Sequence, residues 1–308
     1  MYRYIKRDSI EIEYKHLEEI AQVFPDLEID TVNYKDNGLV YDILIVNNEL
    51  VFRFPKFDWA VDDKFKEASC LKLAGDFSDI SIPNWQLHNN SFVSYSRING
   101  SALTDHEYEK FDAKQKDLLA KTLGLFLKEI HGIPQKKLQS SKILPSLTVH
   151  SYDDWLKLYD DVQQELFSYM TASARDNIDT LFRVIIADNT FTEYTPALIN
   201  GDLTDYHLLF VEREKKLNGI IDFGSAGIGD PATDIACLLL QYGENFVSRI
   251  VPFYSKIPKI IDRARFIALT YPLQWALGGI RTGDKTWFLV HLGKTGNIQP
   301  IGSPLECI

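Results

Sequence analysis

Cysteine is scarce in this chain: three residues in 308, at positions 70, 237 and 307. The number is odd and no C-x-x-C pair occurs, which argues against a disulfide framework or a thiolate zinc site and for a reducing compartment. Long apolar runs are missing as well. The longest, such as IACLLL at 235–240, falls far short of the roughly 20 residues of a membrane-spanning helix. The opening stretch, MYRYIKRDSIEIEYKHLEEIA, is charged throughout and lacks the apolar core of a secretory leader. Positive charge is also in deficit, with 33 Lys and Arg against 43 Asp and Glu, a net −10. A surface of that sign does not attract nucleic-acid phosphates; it favours cationic small molecules or simply keeps the chain in solution. The expectation is a cytoplasmic protein, monomer or dimer, with no nucleic-acid or membrane partner.

What is present is enough to build a large core: 45% hydrophobic and 12% aromatic residues, which excludes a disordered or fibrous chain. Apolar spacing near the helical period marks a helix over 11–24. The segment 31–56 changes character, with β-rich runs broken by KDNG and VNNE, both hairpin signals, and reads as three antiparallel strands. A helix over 62–77 follows, then two further strands in SIPNWQLH and SFVSYSRI, ending at Asn99-Gly100. From there the pattern turns helical. The stretch 112–133 is strongly amphipathic and ends in His131-Gly132, a cation followed by a cap residue. A loop, PQKKLQSSKILPS, precedes helices across 152–188. Another helix starts at Asp230-Pro231, and more fill 245–292. This predicts a β-rich unit over 1–97, a junction at about 94–100, and a helical unit over 98–308.

Just past the junction lie INGDLTDYHLL (199–209) and IIDFGSAGIGDP (220–231). Phosphoryl transfer needs a carboxylate at the acceptor hydroxyl, ligands for magnesium and a cation on the nucleotide phosphates, itself held by an acid. The chain offers these in order. Arg53 and Lys56 sit at a strand end in VFRFPK, and Glu67 follows on the next helix. Asp202 stands in a loop, with His207 five residues on, and Asp222 closes the apolar strand GII. Each alone is weak; the ordered set is not. Asp230 reads as a helix cap, and Asp234 as a residue that stabilises the site loop.

These motifs resemble the aminoglycoside phosphotransferase family, antibiotic kinases with a protein-kinase-like fold. YTPALINGDLTDYHLLF and LNGIIDFGSAGIGDPATDIACLL are most similar to the aminoglycoside 2″-phosphotransferases, and the likeness covers most of the chain. It implies an α+β bilobal fold: a small antiparallel sheet with one helix, and a larger helical lobe. It implies Asp202 as catalytic base, with His207 and Asp222 holding Mg²⁺. It also implies ATP or GTP held by Arg53 or Lys56 with Glu67, and a hinge whose backbone at Ser96 and Ile98 meets the purine. The chain departs from the family pattern at Asn200, where histidine is usual, at Ser225, where aspartate is usual, and at Arg53, where lysine is common. The acidic pair of the acceptor cleft is missing, replaced by Gln241 and Tyr242 with only Glu244 left. Glu244, Tyr242 and Trp275 are the acceptor-binding candidates. An aminoglycoside is the first acceptor expectation. A macrolide is the second, because macrolide 2′-phosphotransferases share these turns and have an apolar pocket. A metabolite kinase or a nucleotide-binding pseudokinase are the alternatives.

Overall fold

The computed structural model describes residues 9–35, 38, 40–88, 91–149, 151–283, 295 and 298–305. The chain begins with helix α1 (Ser9–Val23), followed by strands β1 (Val32–Lys35), β2 (Tyr41–Val46) and β3 (Leu50–Pro55). Helix α2 (Asp58–Gly75) and strands β4 (Gln86–His88) and β5 (Phe92–Ser96) complete the small lobe. The sheet is antiparallel in the order β1-β2-β3-β5-β4. The three strands expected over 31–56 are present, and the turn between β2 and β3 places Asn47 and Asn48 at positive φ, as a tight Asn-Asn hairpin requires. Part of the KDNG turn lies outside the described residues.

The register fixes which side chains share a face. Phe52 opposes Leu44 and Ser94, and Arg53 opposes Ile43 and Val93. Because side chains alternate along a strand, Leu44, Phe52 and Phe54 share one face, where they pack with Ile20 of α1 and with Phe92. The small lobe therefore carries α1 as well as α2. The opposite face of β3 holds Val51 and Arg53. Phe52 is fully buried, which contributes about 1.5–3 kcal/mol for a side chain of that size.

The large lobe opens with β6 (Ser101–Ala102), α3 (Asp105–Glu109), α4 (Ala113–His131), α5 (Gln135–Ser141), α6 (Tyr152–Glu165) and α7 (Ala172–Ala187). Capping boxes start α3, α4 and α6, each pairing a side-chain acceptor with a residue three positions on. The segment 134–146, expected to be a loop, contains α5; its cap is Pro134, whose missing N–H costs nothing at a helix start. After α7 come β7 (Ala197–Ile199), β8 (Leu208–Val211), β9 (Lys216–Ile220) and β10 (Gly227–Gly229). They form a β6-β8-β9 sheet and a β7-β10 pair. Helices α8 (Ala232–Tyr242), α9 (Glu244–Ile250) and α10 (Ile257–Thr282) follow, sharing one core with α4, α6 and α7. The end of the helical reading over 245–292 lies outside the described residues. Among the described residues no helix is long and apolar enough to cross a membrane.

Candidate active site

Strand β7 is buried at all three positions, so the loop that follows it starts from a fixed point. Asn200 is fully buried and ties the loop together. Its Oδ1 accepts from the Asp202 N–H at 2.9 Å, and its Nδ2 donates to the Asp222 carbonyl at 3.1 Å. One side chain thus sets both the loop after β7 and the turn after β9, which explains how asparagine serves where the resembled family has histidine. Gly201 adopts φ +79°, and a Cβ there would meet the Ser225 carbonyl at 3.0 Å, so glycine is needed.

Beneath the loop, Asp234 accepts from the backbone N–H of Asn200 at 3.1 Å and of Gly201 at 2.7 Å. Its remaining partner is His131, at 2.9 Å, which also bonds the Tyr254 hydroxyl at 3.0 Å. His131 does end α4, with Gly132 as its cap, as expected, but the side chain has a further partner. It is buried and reaches 103 residues along the chain to brace the carboxylate that holds the loop. No local pattern signals that partnership.

Asp202 and Asp222 present their carboxylates beside His207. The imidazole Nδ1–H donates to the Asp202 carbonyl at 2.9 Å, leaving Nε2 3.7 Å from Asp222 Oδ2. The Asp202 carboxylate lies 3.7 Å from Nδ1. About two-fifths of each carboxylate side chain remains open, 42% for Asp202 and 39% for Asp222, so both can meet a substrate. Burial pushes the Asp202 carboxyl up to about 6; His207 opposes this, while Asp222 and Asp234 add to it. Burial also acts against charge on His207, but Asp222 and Asp202 outweigh it and hold the imidazole above its ordinary value. Asp222 itself is held below the usual carboxylate range: burial raises it, and Arg53, His207 and the Gly224 N–H more than offset that. Its backbone is strained, with φ +62° at a non-glycine residue, a cost of order 1–3 kcal/mol that marks functional turns.

Arg53 reaches this centre from β3. It donates from Nη1 to Glu67 at 3.2 Å, and Nη2 stands 3.9 Å from Asp222 Oδ2. The guanidinium lies over the rings of Tyr41, at 4.3 Å, and Trp85, at 5.0 Å. Glu67 also accepts from the Phe223 N–H at 3.1 Å, so one carboxylate joins α2 to the turn after β9. Burial works against the guanidinium charge, and Glu67 and Asp222 more than restore it. Arg53 Nε is buried and has no hydrogen-bond partner among the described residues.

Lys56 does not join this cluster. Its Nζ bonds the Gly38 carbonyl at 2.6 Å and Asp42 at 3.3 Å, on the α1 side of the sheet. Ser96 and Ile98 line a cavity of about 420 Å³ with Leu50, Ser94, Arg97 and Asn99. Ser96 opposes Leu50, two positions from the Phe52–Ser94 pair, so its side chain points away from the Arg53 face. A purine on that face would meet the hinge backbone and not this hydroxyl.

Glu244 differs most from its expectation. Both its oxygens accept from Arg265, at 2.8 and 3.1 Å, and Oε1 also accepts from the Gln299 N–H. Arg265 is fully buried and further held by Asp262 and the Ser303 carbonyl. Glu244 is therefore already ion-paired. Tyr242 is buried among Tyr108 and Phe246, which makes it part of the core. Trp275 is half-buried on α10. One turn earlier, Tyr271 places its hydroxyl 3.7 Å from the Cys237 sulfur, which itself lies 3.9 Å from the Gly201 carbonyl. Tyr271 and Cys237 thus border the loop of Asp202, a pairing the sequence reading missed.

The residues present fit a magnesium ion. Among the described residues no cluster of three or more His, Cys, Asp and Glu forms a metal cage, and Mg²⁺ is commonly held by one or two carboxylates plus substrate phosphates and water. The Asp222 carboxylate would supply such a ligand, with His207 Nε2 beside it at 3.7 Å and Arg53 Nη2 at 3.9 Å.

A small antiparallel lobe and a helical lobe, with this cluster between the sheet, α2 and the loops after β7 and β9, define the kinase-like class of phosphotransferases. The chain belongs to the phosphotransferase enzyme family, whose model matches residues 37–266. It is similar to viomycin phosphotransferase of Streptomyces vinaceus, at 29% identity over 147 residues, 47% of this chain and 50% of that one. The chain thus spans about half the length of that curated relative. It is also similar to the GDP complex of wild-type aminoglycoside 2′-phosphotransferase-IIIa, at 27% identity and TM-score 0.82, covering 94% of this chain and 98% of that one. A macrolide 2′-phosphotransferase type I shares the fold at 18% identity and TM-score 0.72, covering 97% and 99%.

Proposed function

We propose that this enzyme moves the γ-phosphoryl group of ATP or GTP to a hydroxyl of an antibiotic-like small molecule, with an aminoglycoside as the first acceptor class. The observation that carries it is the convergence of Asp202, His207, Asp222 and Arg53, from three separate segments, with Asp202 and Asp222 open to a substrate. Residues 1–97 would hold the nucleotide and 98–308 the catalytic loop and acceptor. Arg53 binds the phosphates, oriented by Glu67. Asp202 orients the acceptor hydroxyl and takes its proton as the oxygen bonds to γ-phosphorus and the bond to the departing nucleoside diphosphate breaks. His207 and Asp222 would hold Mg²⁺, which would supply charge neutralisation on the phosphates. Asn200 and Asp234 keep the loop in register for that geometry.

A macrolide is the second acceptor reading, favoured by one observation. Among the described residues Glu244 is occupied by Arg265, Asp234 of α8 is taken up by the loop backbone and His131, and Cys237 and Tyr271 border the loop, which favours a less cationic acceptor. Phosphate transfer from each nucleotide to aminoglycosides and to macrolides, read by mass, separates the two. Nucleotide binding without transfer to any acceptor in a broad antibiotic and metabolite panel would leave a pseudokinase.

A further inference from the structure

The guanidinium of Arg53, a residue only 7% exposed, sits in a corner made by two aromatic rings. Tyr41 on β2 pairs with Pro55, and Ile43, two positions on, pairs with Arg53. The register therefore makes Tyr41 a diagonal neighbour of Arg53 on the same face of the sheet. Its ring centroid lies 4.3 Å from the guanidinium carbon. Its hydroxyl donates to the Ala60 carbonyl at 3.5 Å, which ties the ring to α2, the helix that carries Glu67. Trp85 comes from the segment just before β4, with its ring 5.0 Å from the same carbon. That segment is fastened to the large lobe, because Ser81 bridges Gly219 and its carbonyl accepts from the Ile220 N–H at 3.0 Å. Ile220 stands two residues before Asp222. The two rings meet edge to face, with centroids 6.3 Å apart and 77° between their planes. Glu67 and Asp222 stand at the nitrogens Nη1 and Nη2, at 3.2 and 3.9 Å. The Trp85 indole N–H is buried and has no acceptor among the described residues, so what this side chain contributes at Arg53 is its ring.

We infer that Tyr41 and Trp85 are positioning residues: they fix the plane of the Arg53 guanidinium, so that an arginine can serve the nucleotide phosphates. This rests on the proposed nucleotide-dependent transfer. A lysine ammonium is a point charge with rotatable donors, whereas a guanidinium donates only in its own plane and stacks on aromatic faces. With the plane set by two rings, Nη1 stays on Glu67 and Nη2 stays beyond hydrogen-bond reach of Asp222. Without the rings the guanidinium is free to turn onto Asp222 as a bidentate pair. Its charge is then taken up by that carboxylate and lost to a phosphate.

The test uses the full chain with Tyr41→Leu and Trp85→Leu, the ring-keeping Tyr41→Phe and Trp85→Phe, and Arg53→Met alone and with each Leu change. Two quantities are read. One is the Arg53 Nε–H proton resonance without ligand, assigned by its loss in Arg53→Met. The other is calorimetric binding of Mg-ATP, Mg-GTP and the bare nucleosides. The rings should hold that resonance upfield in the wild-type chain. Each Leu variant should move it downfield and weaken triphosphate binding by about five- to tenfold. Nucleoside affinity should stay within about twofold, and the Phe variants should recover most of the loss. In Arg53→Met the Leu changes should add no further loss, because the rings act only through the guanidinium. A merely structural role would weaken nucleosides and triphosphates alike, or persist in Arg53→Met, and either result overturns the inference. A resonance unmoved in both Leu variants overturns the aromatic corner itself. A moved resonance with intact triphosphate binding overturns its role at the phosphates. Should the Leu variants fail to fold, fluorinated tryptophan keeps the ring's shape while draining its negative face. Triphosphate affinity should then fall as fluorines are added and stop responding in Trp85→Phe; constant affinity overturns the inference. A wild-type chain that binds neither Mg-nucleotide refutes the proposed function and this role with it, while the resonance still reports whether the rings hold Arg53.

Discussion

Asp202 combines access with an elevated protonation range. Its carboxyl titrates near 6 through burial and the neighbouring Asp222 and Asp234, so below that pH it holds a proton and cannot accept one. The expected kcat/KM for transfer falls about tenfold per pH unit below 6 and levels off above about 7, measured across a buffer series at fixed ionic strength. Replacing Asp202 by asparagine should lower kcat by roughly 10²- to 10⁴-fold while Mg-nucleotide Kd changes little. Turnover unchanged in that variant would remove Asp202 from the chemistry. Asn200 acts through two hydrogen bonds, to Asp202 and Asp222. Asn200→Ala should cost about 1–3 kcal/mol of stability for the buried groups left unpaired, read by urea unfolding, and should lower kcat by displacing both carboxylates.

Elements decide what a residue type can do. Alternation along β3 and the residue after it gives Arg53 to the site and Lys56 to the α1 side, so two cations three positions apart have unrelated partners. On α10, Arg265 crosses to the start of α9 and occupies Glu244. Removing one partner of a buried pair costs about 3–5 kcal/mol, so Arg265→Met should unfold at markedly lower urea. Glu244→Gln should lose stability too, yet leave the acceptor KM within about twofold. A rise of tenfold or more in that KM, with stability intact, would return Glu244 to the acceptor site. Helix α5 shows the opposite limit: its short span, Gln135–Ser141, holds one buried residue, Leu138, too weak a period to read as helix.

At the scale of the molecule, Glu67 joins the two lobes, linking α2 to the turn after β9. Ligand binding to the folded state stabilises it by about 2.7 kcal/mol at a hundredfold excess over Kd. Mg-nucleotide should therefore raise the melting temperature, and EDTA should abolish most of that gain if His207 and Asp222 hold the metal. A nucleotide shift untouched by EDTA would argue against those two as metal ligands.

Much of this was legible in the chain. The order Arg53, Glu67, Asp202, His207, Asp222, with strands and loops between them, was readable because each sits at a strand end or turn with its own local signal. The β-rich and helical halves were readable because apolar period changes from two to about 3.6 near the junction. Tertiary structure alone decided the partners. That His131 braces Asp234, that Arg265 silences Glu244, and that Asp42 claims Lys56 are contacts over 103, 21 and 14 residues of chain. Charge and burial there come from packing between elements, and periodicity along one element carries no record of what is packed against it.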